Sequence, residues 1–419
     1  MTYAQQTHRV IRTRECFFSL LLLAAFYLLP WLAAVAKAPR SKSSFEQKPS
    51  TSERQSVSSK IGAAYSSGDH YLLLVTSVNA STFTPESLAQ FNRSAYEGVA
   101  VPFLNAYDTG PIPTAASMEA SLTEWKKATK KDLWPWVYFN RMMGQDPARK
   151  EQIAKYPYFA RIQGADLEDK AGAQKDFLQY WQNSFRAAKN TQAPGVVADL
   201  EFYNYYPEYN PTILAKELSK SPQQTIDLLR QVGARMADLA AAEFQNATIW
   251  FLFTDLGNPS WKVVEGQPYY ASPAYIVQGM LDEIQKAHLS LKILSGGEVS
   301  LAYCSTSLEQ LKMKISHRAA GFAPQIQKYA GALELAGTIT LWNEPAGKTG
   351  WMRQSCGGSD AGTVEELQPY LELLLKSYRY NWIYASGAGN YLAFKAESAP
   401  RFDTVIGKAK ARVASDPAR

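Results

Sequence analysis

The feature that most constrains this chain is an alternation that begins past residue 60. Short apolar runs rich in β-branched and aromatic residues are separated by longer stretches with helical spacing. Eight such runs occur: Tyr71–Val78, Gly98–Asn105, Trp134–Asn140, Val196–Glu201, Thr248–Asp255, Lys292–Glu298, Thr338–Glu344 and Asn381–Ala385. Between them lie candidate helices at Pro222–Phe244, Ala274–Ala287, Ser307–Ile315 and Val364–Tyr378. Within Thr225–Ala242 the apolar residues fall at 226, 228, 229, 232, 236, 239 and 240, the spacing of one helix face. A strand followed by a crossover helix, repeated, requires a parallel sheet. Eight repeats predict the α/β class and a (β/α)8 TIM barrel, a single domain with long βα connections after the third and fourth runs. The rival is an open doubly wound sheet. It has fewer strands and a glycine-rich first turn, and neither G-x-G-x-x-G nor a Walker sequence is present.

The first forty residues have the layout of an export signal. Arg9, Arg12 and Arg14 precede an almost wholly apolar run from Cys16 to Ala36, with Pro30 near its end and Ala34-Val35-Ala36 as a cleavage candidate. The run approaches the roughly 20 residues that span a bilayer. Residues 1–36 are therefore read as a signal peptide or an uncleaved N-terminal membrane anchor, and both stay open. Residues 37–65 read as a polar, disordered linker, because a Ser/Lys/Gln/Glu stretch buries too little surface to order itself. Residues 66–400 are assigned to the barrel and 401–419 to a polar C-terminal tail. The predicted localisation is extracytoplasmic: secreted, periplasmic or membrane-anchored.

Charge excludes one class of partner. The net charge is +6, but residues 1–60 hold nine Lys/Arg and three acids, which leaves 35 of each sign on the rest. A nucleic-acid binder carries its basic excess on the folded domain, so no nucleic-acid partner is expected. Membrane contact is expected only through the N-terminal segment, if uncleaved. Of the three cysteines, Cys304 and Cys356 form the one possible disulfide that outlasts cleavage. The four histidines are scattered, so no metal and no cofactor are expected.

In such barrels the chemistry collects at the C-terminal ends of the strands. Those ends supply Asn105 and Asp108 from the second run, and Trp136, Tyr138, Asn140 and Arg141 from the third. The fourth run gives Asp199, Glu201 and Tyr203; the fifth gives Asp255; the sixth gives Glu298, with Tyr303 just beyond. The seventh and eighth contribute Trp342, Glu344 and Trp382. In Val197-Ala198-Asp199-Leu200-Glu201 the two-residue period puts Val197, Asp199 and Glu201 on one face. Two carboxylates so placed repel when both are ionised, which would raise the pKa of one, as a general acid near neutrality requires. Glu344 shares a face with Trp342, and Glu298 follows two glycines that permit close approach of a ligand or of a neighbouring strand. Glu201, Glu344, Asp199 and Glu298 are thus the candidate catalytic residues, and the other rim residues are candidates for substrate binding.

Carboxylates ending the fourth and seventh strands resemble the large superfamily of retaining (β/α)8 glycoside hydrolases. That resemblance implies Glu201 as acid/base and Glu344 as nucleophile. The Asp199-x-Glu201 pair is also similar to the chitinase-like families, which implies that Glu201 protonates the leaving group while Asp199 supports the substrate's own acetamido group. The likeness covers roughly residues 66–400, and the pattern departs from both groups. Asn343-Glu344-Pro345 stands at the seventh strand where the retaining superfamily has its Asn-Glu at the fourth. Val196, Val197 and Ala198 occupy places that are acidic in chitinase-like motifs. The expected function is an extracytoplasmic glycosidase with a carbohydrate substrate and aromatic subsites at Trp136, Trp342 and Trp382. The alternatives are a non-catalytic carbohydrate-binding or envelope polysaccharide-assembly protein on the same barrel, and a barrel hydrolase or lyase acting on other substrates.

Overall fold

The computed structural model describes residues 70–76, 84–103, 112–138, 173–200, 210–254, 256, 263–264, 267–268, 271–301, 305, 307–342, 364–386 and 399–416. The chain divides into two units, residues 1–54 and 55–419, and every described residue belongs to the second. The apolar run 16–36, the linker to residue 65 and both Cys304 and Cys356 lie outside the described residues. Among the described residues no helix is long and apolar enough to cross a membrane.

Ten strands are described: β1 (Tyr71–Thr76), β2 (Gly98–Pro102), β3 (Asp132–Tyr138), β4 (Gly195–Asp199), β5 (Thr248–Phe251), β6 (Val263–Val264), β7 (Gln267–Pro268), β8 (Lys292–Ser295), β9 (Leu333–Trp342) and β10 (Tyr380–Ser386). β6 and β7 pair as a small antiparallel ribbon. The other eight close into a parallel barrel in chain order. The paired residues Pro102, Trp136, Val197, Trp250, Leu294 and Glu334 trace one path around the wall. Continued through β10 and β1, that path returns to β2 eight residues lower. This is the stagger of a (β/α)8 barrel.

Helices fill every crossover: α1 (Pro85–Arg93), α2 (Ala115–Ala128), α3 (Ala173–Asn190), α4 (Pro211–Leu218) and α5 (Pro222–Glu243) in the first half. The second half has α6 (Ala271–Lys286), α7 (Glu298–Leu301), α8 (Leu308–Lys328), α9 (Leu367–Ser377) and α10 (Ala399–Ala414). Their starts follow local chemistry. Ser221 and Gln224 form a reciprocal capping box ahead of α5, with Pro222 in the first turn. Thr84, Thr114 and Ser307 cap α1, α2 and α8 through their hydroxyls.

Two expectations need correction. Glu298 does not end a strand: β8 stops at Ser295 and Glu298 opens α7. Residues from 401 are not a polar tail, because α10 buries Phe402, Val405, Ile406, Ala409 and Val413 along one face. Its exposed lysines and arginines mask that stripe in the composition. α8 also runs beyond the expected Ile315, through Pro324, to Lys328.

The core has two layers. Outside the barrel, the helices pack on outward residues such as Val196, Ala198, Ile249 and Ile293. Inside, Leu73, Val75, Ala100, Trp134, Trp136, Val197, Trp250, Leu252, Leu294, Ala336 and Trp382 fill the lumen. Ala100 and Ala336 share that space with four indoles, and a Cβ on Gly98 would lie 2.4 Å from the Tyr71 hydroxyl. The N-terminal end is plugged. There the Tyr71 hydroxyl accepts from Trp134 Nε1 at 2.8 Å and donates to Asp132 Oδ2 at 3.0 Å, while Tyr71, Trp250 and Tyr380 pack ring to ring.

Candidate active site

β4 delivers the first carboxylate. All five of its residues are buried, and Gly195 lets it lie against β5, since a Cβ there would sit 1.8 Å from the Thr248 carbonyl oxygen. Val196 and Ala198 face the helices and Val197 faces the lumen, so Asp199 falls on the lumen side by the two-residue period. Asp199 is 4% exposed. Its register partner on β3 is Tyr138, and Trp136 stands beside Val197 one step below.

The second carboxylate comes from the turn after β8. Gly296 N–H donates to the Phe251 carbonyl at 2.6 Å, and Glu298 N–H donates to the Leu252 carbonyl at 3.3 Å. Leu252 N–H in turn donates to Ala198 at 2.9 Å, which carries the β4–β5 ladder to the level of Asp199. Asp199 and Glu298 therefore flank the end of β5 at one height. With one strand between them, their backbones stand roughly 10 Å apart by strand spacing. Glu298 is 6% exposed. Two buried acids at the same level of the mouth form the polar centre of the described rim, together with Thr254 and Thr338, at 1% and 2% exposure.

Trp136 and Trp382, two of the three tryptophans expected to shape subsites, lie within the lumen. Trp136 is 4% exposed and Trp382 is fully buried, both within the lumen cluster. The Trp382 indole N–H donates to the Gly296 carbonyl at 2.9 Å, so this ring supports the turn that carries Glu298. Trp342 ends β9 in register with Ser386, and Tyr138 ends β3; their side chains are outside the described residues. So are Asn105, Asp108, Asn140, Arg141, Glu201, Tyr203, Asp255, Tyr303 and Glu344.

Sequence reasoning missed Arg318. This α8 residue is fully buried behind β8 and β9, where Nη1 donates to the Ala336 carbonyl at 2.7 Å and Nη2 to the Ser295 carbonyl at 2.6 Å. A lone arginine in an amphipathic helix reads as solvent-facing, and the Gly296-Gly297 pair in front of it was the one available signal. Lys314, a turn earlier, donates to the Leu301 carbonyl at 3.0 Å, and burial pulls its ammonium pKa down. Among the described residues no cluster of three or more His, Cys, Asp or Glu could hold a metal.

Fold and mouth together define a closed (β/α)8 barrel with one buried acid ending β4, Asp199, and another in the turn after β8, Glu298. No protein-family model matches the sequence, and no curated protein is significantly similar to it. Among solved structures the chain is similar to a GH5-4 broad-specificity endoglucanase from an uncultured bacterium, at TM-score 0.45 and 11% identity over 88% of this chain and 98% of that one. It is similar to the GH18 chitinase ChiB from the chitin utilization locus of Flavobacterium johnsoniae, at TM-score 0.39 and 11% identity over 82% and 95%. A sugar phosphate isomerase/epimerase from Parabacteroides distasonis follows at TM-score 0.37 and 8% identity, over 84% and 96%. The barrel itself rests on its strand pairing.

Proposed function

We propose that the protein is an extracytoplasmic glycoside hydrolase whose reacting groups ring the mouth of the barrel. The observation that carries this reading is the burial of Asp199 on the lumen face of β4, at the level of Glu298 across β5. The period that turns Val197 and Asp199 inward continues in the sequence to Glu201, two residues further toward the rim. Glu201 then acts as the general acid: it gives its proton to the leaving oxygen as the anomeric C–O bond breaks. A second carboxylate, Glu344, stabilises the oxocarbenium-like centre, and water finally supplies the hydroxyl at that carbon while its other proton returns to Glu201. Asp199, two residues before Glu201 in the sequence and buried on the lumen face, orients it and offers the negative charge that a chitinase-like mechanism uses against an acetamido group. The export-like segment 1–36 supports action outside the cytoplasm on a polymeric or oligomeric glycan.

The test is hydrolysis of a broad panel of polysaccharides and aryl glycosides by the full-length protein, beside its Glu201→Gln variant. Turnover by the wild type, reduced about 100- to 10,000-fold in the variant with binding retained, is expected for loss of a general acid. Glycan binding without turnover in either protein would point instead to the non-catalytic carbohydrate-binding reading.

A further inference from the structure

The turn Ser295-Gly296-Gly297-Glu298 is gripped from both sides of the barrel wall. From the lumen, Trp382 Nε1 donates to the Gly296 carbonyl at 2.9 Å. From the outside, the fully buried Arg318 donates to the Ser295 carbonyl, to Ser295 Oγ at 3.2 Å and to Ala336 of β9. Ser295 Oγ passes the tie on to the Thr254 carbonyl at 3.3 Å, so one guanidinium links the end of β8, the segment just after β5 and the first half of β9. Its planar group lies against Phe322 and Tyr378, 5.4 and 5.3 Å from the ring centroids. Gly297 is required here twice over. Its φ is +80°, and a Cβ would lie 2.8 Å from Arg318 Cζ. Lys314, one turn earlier on the same helix, holds the other end of the segment at Leu301.

A buried guanidinium is costly to desolvate, by several kcal/mol, and an apolar side chain of similar volume often does as well for stability alone. Among the described residues no carboxylate forms an ion pair with Arg318; its bonds go to the backbone carbonyls of Ser295 and Ala336 and to the Ser295 hydroxyl. The glycine contact and chain geometry put its charge within about 8 Å of the Glu298 Cα. We propose that Arg318 is a positioning residue for the mouth: with Trp382 as its counterpart inside, it fixes the Gly296-Gly297 turn and so sets where the Glu298 carboxylate stands in the site. That Glu298 is a candidate catalytic residue of the mouth, beside Glu201 and Glu344, rests on the glycosidase reading; the clamp itself does not.

The experiment therefore has two readouts. The full-length protein is labelled with 5-fluorotryptophan, and its ten tryptophan signals are followed by 19F NMR, the Trp382 line being assigned through Trp382→Phe. In Arg318→Met the Trp382 line is expected to shift while the signals of Trp125 and Trp181, which lie among the outer helices, stay in place. Arg318→Lys is expected to restore part of the shift. An unmoved Trp382 line in a folded Arg318→Met protein would overturn the proposal. Should Arg318→Met not fold, Gly297→Ala asks the same question by pressing a methyl on Cζ, with the same decisive line. On a glycan that the wild type hydrolyses, Arg318→Met is expected to lower kcat about 100-fold with KM little changed. In a Glu298→Gln background it is expected to add almost nothing. Absence of turnover in the wild type would count against the glycosidase reading, with the Trp382 line still deciding the clamp.

Discussion

Burial raises the Asp403 carboxyl to a pKa of about 6, against the opposing pull of the Gln90 hydrogen bond and the charges of Lys131 and Arg93. The same burial, with the charge of Asp403, pushes the Tyr96 phenol well up. A carboxyl whose folded pKa lies above its unfolded value contributes stability that is fully present below about pH 4 and is lost as the pH rises through about 6. The group is partly exposed, so solvent screening reduces the effect to on the order of 1 kcal/mol. Asp403→Asn keeps an acceptor for the Gln90 amide, which donates at 2.8 Å. It is expected to raise stability at pH 8 and to leave it nearly unchanged at pH 4, as read from urea midpoints at the two pH values. A larger gain at pH 4 than at pH 8 would contradict this account of Asp403. Single residues were also where the sequence was hardest to read. The inward direction of Asp199 was legible because it follows from the two-residue period of a single strand. Arg318 was not, because its environment is assembled from Ser295, Ala336 and Tyr378, all distant in sequence.

Elements pack through close approaches that few side chains allow. α5 and α6 meet at Gly233 and Gly279: a Cβ on the first would lie 1.9 Å from the Ile276 carbonyl oxygen, and on the second 2.1 Å from that of Arg230. Both partners are backbone, so Gly233→Ala and Gly279→Ala must push the helices apart. Each is expected to destabilise by about 1–3 kcal/mol, as overpacking does. Thermal melts that match the wild type would show that the helices do not meet as described. The eight strand cores were legible because a parallel strand buried on both faces is a continuous β-branched and aromatic run. Their ends were less so: Glu298 looked like the tip of a strand, but the two glycines turn the chain into α7. α10 was hidden for another reason. Arg401, Lys408, Lys410 and Arg412 dominate its composition, while its apolar positions keep the spacing of one helix face. Lys410 is itself tied in, donating to the Ala95 carbonyl at 2.7 Å and to Glu97.

At the scale of the whole molecule, the proposed glycosidase reading puts stability at one end of the barrel and chemistry at the other. The N-terminal end is closed by Tyr71, Trp134, Trp250 and Tyr380, with Lys292 paired to Glu334 and 4.9 Å from the Tyr380 ring centroid. Tyr71→Phe removes the bonds to Asp132 and Trp134 there. It is expected to cost about 1–3 kcal/mol of stability while leaving turnover unchanged. A loss of turnover without loss of stability would place function at the wrong end. At the mouth the prediction is the reverse, and it bears on the central claim. The decisive measurement is glycan hydrolysis by the full-length protein and by Asp199→Asn, Glu201→Gln and the double variant. Acting as one unit, the two carboxyls predict turnover by the wild type, a large loss in each single variant, and no further loss in the double variant beyond the weaker single. Full activity in both single variants, or glycan binding without turnover in the wild type, would contradict the account.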